Sequence, residues 1–137
     1  MGRLQLEIVT PDRVVLRSEA DYVSLPGVEG EFGVLPEHIP FFAALKIGCL
    51  HFENNGKTEY AAISGGFAEI ANNRVQLLVD SGELAGEVDV HRAEAALKRA
   101  EERLNTAKER HDDNINVLRA EIALQRAITR LQASRLR

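Results

Sequence analysis

Sulfur-containing and aromatic residues are scarce in this sequence, which has one cysteine, one methionine, no tryptophan and 5% aromatic residues among 137 positions. The single cysteine, Cys49, excludes a disulfide within the chain and a zinc site built from cysteines. It lies in an apolar strand pattern, where we expect a small buried residue. No run of about eighteen apolar residues occurs, so no membrane-spanning helix is expected. The N-terminus also lacks the apolar segment of a signal peptide, and we expect a soluble protein of a reducing compartment.

Catalytic and metal-binding patterns are missing as well. The four histidines, at positions 38, 51, 91 and 111, are scattered and belong to no recognisable catalytic motif. An enzyme would need a nucleophile, a base and an orienting group in one cleft, and the sequence offers no such set. We therefore predict a non-catalytic chain without a metal site.

The net charge of −4 conceals two parts of opposite sign. Residues 1–86 contain 12 Asp and Glu against 6 Lys and Arg, whereas residues 87–137 contain 9 against 11. From Arg119 to the C-terminus there are five arginines, and only Glu121 opposes them. An acidic body with a basic tail suggests an acidic partner for the tail, although a solvated helix surface would give the same composition.

Residues 1–86 have the alternating polarity and the turn signals of short strands. Residues 4–8 alternate as in a half-buried strand. The Asn-Gly pair at 55–56 is a strong hairpin signal, and the Asn-Asn pair at 72–73 supplies another turn. The other predicted strand segments are 14–16, 22–25, 41–45, 49–52, 60–63, 67–70 and 75–79, with Gly65-Gly66 separating the fifth from the sixth. Many short strands at this spacing predict an antiparallel β-sandwich or flattened barrel.

Residues 26–40 do not fit a strand-and-turn pattern, because they contain three glycines, three prolines and one histidine. A loop of this composition can hold Glu31, Glu37 and His38 at the surface on a backbone that prolines stiffen. Glu and His together suggest a metal or an acid–base pair. No second histidine is near, however, and we expect a structural loop.

The apolar pattern changes from the period of strands to the period of helices at residues 88–93. Asp89 is a suitable N-cap, because its carboxylate can accept from the unpaired amides of the first turn. We expect the first helix from Asp89 to about Lys108 and a polar link over residues 109–114. Apolar positions then recur at spacings of three and four in both helices, which predicts an antiparallel hairpin. They are Ala93, Leu97, Ala100, Leu104 and Ala107 in the first helix and Val117, Ala120, Leu124, Ala127 and Leu131 in the second.

Alanine fills much of the predicted seam between the helices, and alanine buries far less apolar area than leucine. The hairpin should therefore be only marginally stable alone. Leu118 and Ile122 project away from the seam, and we expect them to dock either on the β module or on another protein.

The arginines of the helical part form two regular rows. In both helices they step by seven, four and seven residues, so each row falls within a narrow band of its helix. Such rows attract polyanions, which include nucleotide phosphates, nucleic acid and acidic protein surfaces. The alternative is a solubilising flank that pairs with the interleaved glutamates. The rows are Arg92, Arg99, Arg103 and Arg110, and Arg119, Arg126, Arg130 and Arg137.

Three segments in order resemble the epsilon subunit of bacterial F-type ATP synthases, and the resemblance covers essentially the whole chain. They are GEFGVLPEHIP at 30–40, SGGFAEIANNRVQLLVD at 64–80, and VDVHRA at 88–93 followed by the basic helices. The resemblance implies a β + α fold with an N-terminal β-sandwich, residues 1–86 here, and a C-terminal two-helix hairpin, residues 87–137. It also implies a non-catalytic central-stalk (rotor) subunit that couples membrane-ring rotation to ATP synthesis in the catalytic head.

The same resemblance implies the partners and the location. The partners are the gamma subunit, the membrane c-ring, and the beta and alpha subunits of the catalytic head. The location is the cytoplasmic face of the bacterial inner membrane, as a peripheral subunit without insertion. Glu31 and His38 fall in the loop by which family members meet the basic polar loops of the ring. The small residue that usually precedes this histidine is replaced by Glu37, which implies either an added contact with the ring or a slightly different position of the loop.

The hairpin is the regulatory element in this family. Folded against the sandwich, it permits rotation in both directions. Extended along gamma, its basic second helix meets acidic segments of the beta subunits and blocks ATP hydrolysis. The resemblance places this inhibitory basic face at Arg119, Arg126, Arg130 and Arg137.

Some family members bind ATP in the folded state through an Ile/Leu-Asp-x-x-Arg-Ala motif, which begins with valine here. Glu83 and Asp89 match positions on the base and ribose side, and Arg92 and Arg99 match phosphate contacts. The link between the helices is a few residues longer than in those members. A longer link would shift Arg126 and Arg130 relative to the matching positions. No Walker glycine loop is present, so ATP is expected as a regulatory ligand that the chain does not hydrolyse, and no cofactor is required. The implied nucleotide-binding residues are Glu83, Val88, Asp89, Arg92, Ala93, Arg99, Arg126 and Arg130.

The arginine rows also suggest an alternative, a free-standing nucleotide- or nucleic-acid-binding module. Nucleic-acid binding usually calls for net positive charge and stacking aromatic side chains. This chain is acidic and has no aromatic residue after Phe67. We therefore expect no nucleic-acid partner.

Overall fold

The computed structural model describes residues 2–110 and 116–136. Eight strands are followed by a short 3₁₀ turn at Ala85–Glu87 and by two helices. In that part of the chain no helix is long and apolar enough to cross a membrane. The strands are β1 (Leu4–Val9), β2 (Val14–Ala20), β3 (Tyr22–Gly27), β4 (Gly30–Val34), β5 (Phe41–Asn54), β6 (Lys57–Ala71), β7 (Arg74–Val79) and β8 (Gly82–Leu84), and the helices are α1 (Val90–Arg110) and α2 (Val117–Leu136).

The strands form an open sheet in the order β2-β1-β7-β6-β5-β3-β4, folded on itself as a flattened sandwich. All neighbours are antiparallel except β1 and β7, which are parallel. Strands β5 and β6 are 14 and 15 residues long and pair along almost their whole length. On the other edge of β6, residues 66–71 pair with β7, whereas residues 61–63 pair with β8. Strand β6 therefore borders two different strands on this edge, one along each part of its length.

Alternating apolar residues fill the space between the layers. Leu4, Leu6 and Ile8 of β1 are buried, and Phe52 is the largest side chain that is fully buried. These residues lie in one core cluster with apolar side chains from β2 to β7. The predicted fold class, a β-sandwich followed by a two-helix hairpin, is confirmed.

The predicted hairpin turns are also confirmed. Asn55 and Gly56 have φ angles of 53° and 81°, and Asn72 and Asn73 have φ angles of 52° and 60°. Two consecutive left-handed residues are the signature of a type I′ turn, whose twist matches that of the flanking strands. Asparagine tolerates this region better than other residues with a Cβ atom.

Several predicted strand boundaries are wrong. Segments 41–45 and 49–52 form the single strand β5, and segments 60–63 and 67–70 form the single strand β6. Gly65 and Gly66 have φ angles of 83° and 140°, yet β6 continues through them and keeps the same register with β5 on both sides. The predicted loop over residues 26–40 contains the end of β3 and all of β4, and β8 was not predicted.

The helices begin where the sequence indicates. The Asp89 carboxylate accepts a hydrogen bond of 3.1 Å from the backbone N–H of Arg92, which confirms the predicted N-cap. The Asn116 side chain caps α2 in the same way, at 3.0 Å from the N–H of Arg119. Helix α1 extends two residues beyond the predicted end at Lys108, and residues 111–114 of the predicted link lie outside the described residues.

The seam between the helices is largely as predicted. Ala93 and Ala100 of α1 and Ala120, Ala127 and Leu131 of α2 are buried. Leu97, Leu104, Ala107 and Leu124 are half-buried. Val117 is 45% exposed, so its place in the seam was predicted wrongly, because the first turn of α2 extends past the contact.

Helix α2 packs on both α1 and the outer face of the sandwich. Leu118 is 66% exposed, so of the two sequence alternatives docking on the β module is wrong for this residue. Ile122 is half-buried. The sandwich is contacted further along the helix, where the Thr129 carbonyl accepts from the Cys49 thiol and Ala133 packs with Ala62.

Substitution of Gly66 should destabilise the sandwich. A Cβ atom at this position would overlap the Leu78 carbonyl oxygen and the backbone of Val79, and the φ angle of 140° is one that L residues rarely adopt. We expect Gly66→Ala to lower the free energy of unfolding by at least about 2 kcal/mol, measured by urea denaturation. Gly86→Ala is the control, since a Cβ atom there meets nothing within 4 Å, and an equal loss in both variants would contradict the expectation.

Candidate functional site

A cavity of about 420 Å³ lies between the sandwich and the helical hairpin. The sandwich contributes residues from the middle of β6, including Ser64, together with Ser81 and with Glu83 of β8. The helices contribute small residues, together with Arg126 and Arg130 of α2. The volume lies within the range of small-molecule pockets, about 300–1,000 Å³.

An ion pair crosses this cavity. The Arg130 guanidinium donates a hydrogen bond to the Glu83 carboxylate and so joins α2 to β8. The two side chains are 29% and 22% exposed, which makes this a partly buried pair in which a charge-assisted hydrogen bond is stronger than in open water. Arg126, four residues earlier on α2, lines the same cavity and is exposed.

Both arginine rows flank the cavity. Ala96 of α1 and Ala123 of α2 line it, and each lies between arginines of its own row. Arg92 and Arg99 are four residues before and three residues after Ala96, so helical geometry places them one turn to either side of it. Arg119 and Arg126 stand in the same relation to Ala123. The cavity therefore has a basic rim on the helical side and one carboxylate, that of Glu83, on the sandwich side.

The eight residues implied for nucleotide binding fall into three groups. Glu83, Arg126 and Arg130 line the cavity. Arg92 and Arg99 are exposed at its rim. Val88, Ala93 and Asp89 do not line it, because the first two are buried in a cluster with Leu131 and the third caps α1.

Two serines of the site escaped the sequence analysis. Ser64 and Ser81 are hydrogen bonded to each other through their hydroxyl groups, and the Ser64 N–H donates to the Ser81 carbonyl at 3.0 Å. They lie 17 residues apart and meet because β6 and the link before β8 run side by side. The only local signal is the glycine pair that follows Ser64. Thr129, whose side chain is buried, was also missed, because no local signal in the sequence marks it.

The docked surface of α2 has short side chains. Ala133 is fully buried against Ala62 and Ala85, with Cys49 and Tyr60 beside them. The Cys49 thiol donates to the Thr129 carbonyl at 3.4 Å, and Cys49 is half-buried rather than fully buried as predicted. Burial raises the pKa of the Cys49 thiol above its ordinary value.

The inhibitory face implied by the resemblance is partly engaged. Arg119 and Arg126 are exposed, whereas Arg130 is half-buried and paired with Glu83. Arg137 lies outside the described residues. The basic face is therefore not uniformly available in this arrangement.

The residues implied for the membrane ring lie at a second location, next to strand β4. Glu31 is exposed on β4 and accepts a hydrogen bond of 2.7 Å from the Ser24 hydroxyl. The His38 Nδ1 atom lies 2.6 Å from the Ile39 carbonyl oxygen, so Nδ1 carries a proton and donates it. Glu31 and His38 line a groove of about 750 Å³. Glu37 lies outside the lining, in a left-handed conformation with φ of 69°, and its N–H donates to the Asn73 side chain at 2.7 Å.

Metal-binding clusters are not found in the described ranges, where no group of three or more His, Cys, Asp or Glu side chains could hold an ion. The chemistry available at the cavity is instead ionic and hydrogen bonding. Guanidinium groups can pair with phosphate oxygens, and a carboxylate with hydroxyl groups can accept from and donate to a polar ring. The arrangement suits binding of an organic anion.

Two family profiles match almost the entire sequence. Residues 3–85 match the profile described as "ATP synthase, Delta/Epsilon chain, beta-sandwich domain". Residues 87–135 match the one described as "ATP synthase, Delta/Epsilon chain, long alpha-helix domain".

Individual relatives agree with these profiles. The ATP synthase epsilon chain of Nitratidesulfovibrio vulgaris (strain DP4) is 55% identical over 109 residues, which are 80% of this chain and 81% of the relative. That of Lawsonia intracellularis is 51% identical over 106 residues, covering 77% and 80%. A chain in the Euglena gracilis mitochondrial ATP synthase (OSCP/F1/c-ring) superposes with a TM-score of 0.78 at 25% identity, covering 98% of this chain and 82% of that one. A chain of the Tetrahymena thermophila central stalk and c-ring, at 13% identity and a TM-score of 0.56, shares the fold.

Enlargement of Ala133 should separate the hairpin from the sandwich. Because Ala133 is fully buried against other small residues, Ala133→Leu cannot be accommodated without moving α2. We expect Cys49 to react at least fivefold faster with iodoacetamide at pH 8, since undocking exposes the thiol and returns its pKa toward the ordinary value. Ala95→Leu, on the exposed face of α1, is the matched control. An unchanged rate in Ala133→Leu would show that the docked contact is not the one described.

Proposed function

The chain belongs to the epsilon-chain family of ATP synthases, and from that membership we propose that it serves as a rotor subunit whose hairpin restrains ATP hydrolysis and senses ATP. The proposed division assigns contact with gamma and the membrane ring to residues 1–86 and regulation to residues 87–137. The observation that carries the proposal is the docked basic hairpin, which contacts the sandwich through small side chains and the Glu83–Arg130 ion pair around a cavity that Arg126 also lines.

Exposed aromatic residues on the sandwich support a protein partner there. Phe42 and Phe67 stack with ring centroids 5.4 Å apart, yet they are 65% and 50% exposed. Leu78, which is also exposed, lies on the strand next to Phe67, with which it is paired. An apolar patch of this kind marks an interaction site. We assign it to the gamma subunit, which must hold the sandwich firmly if rotation is to be transmitted.

The groove beside β4 supports a contact with the membrane ring. Glu31, Glu37 and His38 bring acidic and hydrogen-bonding groups to one end of the sandwich, and the exposed side chains of Val28 and Ile39 surround them. Basic polar loops of a ring would pair with these carboxylates while their apolar neighbours pack on the rest. The subunit would then be peripheral, at the cytoplasmic face of the bacterial inner membrane.

The regulatory role follows from the weakness of the docked contact. Alanine and threonine contribute little apolar burial, so the free-energy difference between a docked and an undocked hairpin is small. A bistable element of this kind can be shifted by a ligand or by a partner that prefers one state. In the undocked state the arginines of α2 could face acidic segments of the beta subunits and block ATP hydrolysis.

The regulatory ligand would be ATP, bound without hydrolysis. Arg126 and the rim residues Arg92 and Arg99 offer charge for the phosphates, while Glu83 and the serine hydroxyl groups offer partners for the base or ribose. Ligand contacts to both the sandwich and α2 would stabilise the docked state. The chain itself would remain non-catalytic within the complex, with no required cofactor.

Removal of the hairpin tests the inhibitory role. We expect deletion of residues 88–137 to raise ATP hydrolysis by the assembled complex several-fold while assembly is retained, because the core cluster of the sandwich contains no helical residue. Hydrolysis is measured with a coupled assay, and assembly by copurification. Unchanged hydrolysis in a fully assembled complex would contradict inhibition by the hairpin.

An ATP titration tests the ligand. In isothermal titration calorimetry of the full chain we expect saturable binding of ATP, with at least tenfold weaker binding in Arg126→Ala and in Arg99→Ala, since each removes a phosphate partner. Arg17→Ala is the control, because Arg17 lies on the outer face of β2, where it pairs with Glu7. Absence of binding, or equal weakening in all three variants, would remove ATP from the proposal.

A further inference from the structure

The contact between Glu83 and Arg130 is the one ion pair that joins a helix of the hairpin to the sandwich within residues 2–110 and 116–136, since Glu87, which pairs with Arg13, lies in the 3₁₀ turn before α1. Both side chains are mostly shielded, with exposures of 22% and 29%. The other direct contacts are a thiol–carbonyl hydrogen bond and the packing of small side chains around Ala133. The ion pair is therefore the strongest polar interaction at the docked surface.

The position of Arg130 also links this ion pair to the basic face of α2. Arg130 belongs to the row that also contains Arg119 and Arg126, which is the basic face assigned above to an acidic partner. In the docked arrangement Arg130 is half-buried and its guanidinium is directed at Glu83. Movement of α2 away from the sandwich to present Arg130 to another subunit therefore requires that this pair be broken.

We propose that the Glu83–Arg130 pair is an intramolecular latch that holds the hairpin docked when the cavity contains no ligand. Release of the latch would undock α2 and return Arg130 to the basic face. This second step rests on the proposed inhibitory function, whereas the latch itself concerns only the isolated chain. The latch makes the docked arrangement the resting state and leaves any ligand to add stability to it.

The charges around the pair strengthen this inference. Glu83 is the only acidic residue among those that line the cavity, and Arg126 lies one turn from Arg130 on the same helix. Neutralising Glu83 leaves two guanidinium groups on the same side of α2 facing a cavity without an opposing charge. The desolvation of the half-buried Arg130 is then uncompensated, which favours movement of α2 into water.

Cys49 provides a direct measure of docking. It is the only cysteine in the sequence, and its thiol lies against the Thr129 carbonyl under α2. Reaction with iodoacetamide requires access to the thiol, so its rate reports how often α2 leaves the sandwich. The measurement uses the full chain alone, without ATP or other subunits.

In this assay we expect Glu83→Gln to increase the rate of Cys49 alkylation at least fivefold, and Arg130→Gln to do the same. The double variant should react no faster than the faster of the two single variants, because the second change removes nothing that the first has left. Glu7→Gln is the matched control, since Glu7 is similarly shielded and pairs with Arg17 across strands β1 and β2. Circular dichroism confirms that each variant retains its helices and strands.

Two results would overturn the latch. One is a rate in Glu83→Gln within twofold of that of the unaltered chain. The other is an equal acceleration in the Glu7→Gln control, which would indicate general loosening.

In the assembled complex, Glu83→Gln should lower ATP hydrolysis relative to the unaltered subunit. If Cys49 reacts faster in the variant but hydrolysis does not change, the latch stands and the inhibitory function fails.

Discussion

Helix α2 packs against two different surfaces at once, and residues with short side chains make both contacts. Ala120 and Ala127 face α1, while Thr129 and Ala133 face the outer side of the sandwich. The close approach that these residues allow brings Arg126 and Arg130 to the cavity and sets Arg130 beside Glu83. The cavity, the ion pair and the shielded thiol all depend on this double contact. Larger residues would bury more area but would push the charges apart.

Much of the fold could be predicted because local chemistry determines it. The left-handed asparagines of the two hairpins and the cap at Asp89 act within a few residues, so their signals are readable in the sequence. The course of β6 could not be predicted in this way. Gly65 and Gly66 indicate an unusual backbone, but only pairing with β5 determines that the strand continues through them.

The residues of the candidate site could be predicted only in part. The arginine spacing indicated an anion-binding surface, and the resemblance supplied Glu83 as a partner on the sandwich. Nothing in the sequence indicated that Glu83 and Arg130 pair directly, because they are 47 positions apart and meet only when α2 docks. The same holds for Ser64 and Ser81. Val88 and Ala93 belong to the motif, yet here they pack with Leu131 of α2 in a cluster within the helical part.

The continuous strands β5 and β6 have a mechanical consequence. Both strands are long, and a ladder of backbone pairs in one register, without a pair at Lys46 and Gly65, joins them along almost their whole length. A shear force applied to one end of the sandwich is then carried by two extended backbones, which are stiff. It is not carried only by side-chain contacts, which can slide past one another. In a central stalk, such a module would pass torque onward with little elastic loss. The loosely held hairpin could change position without softening that path.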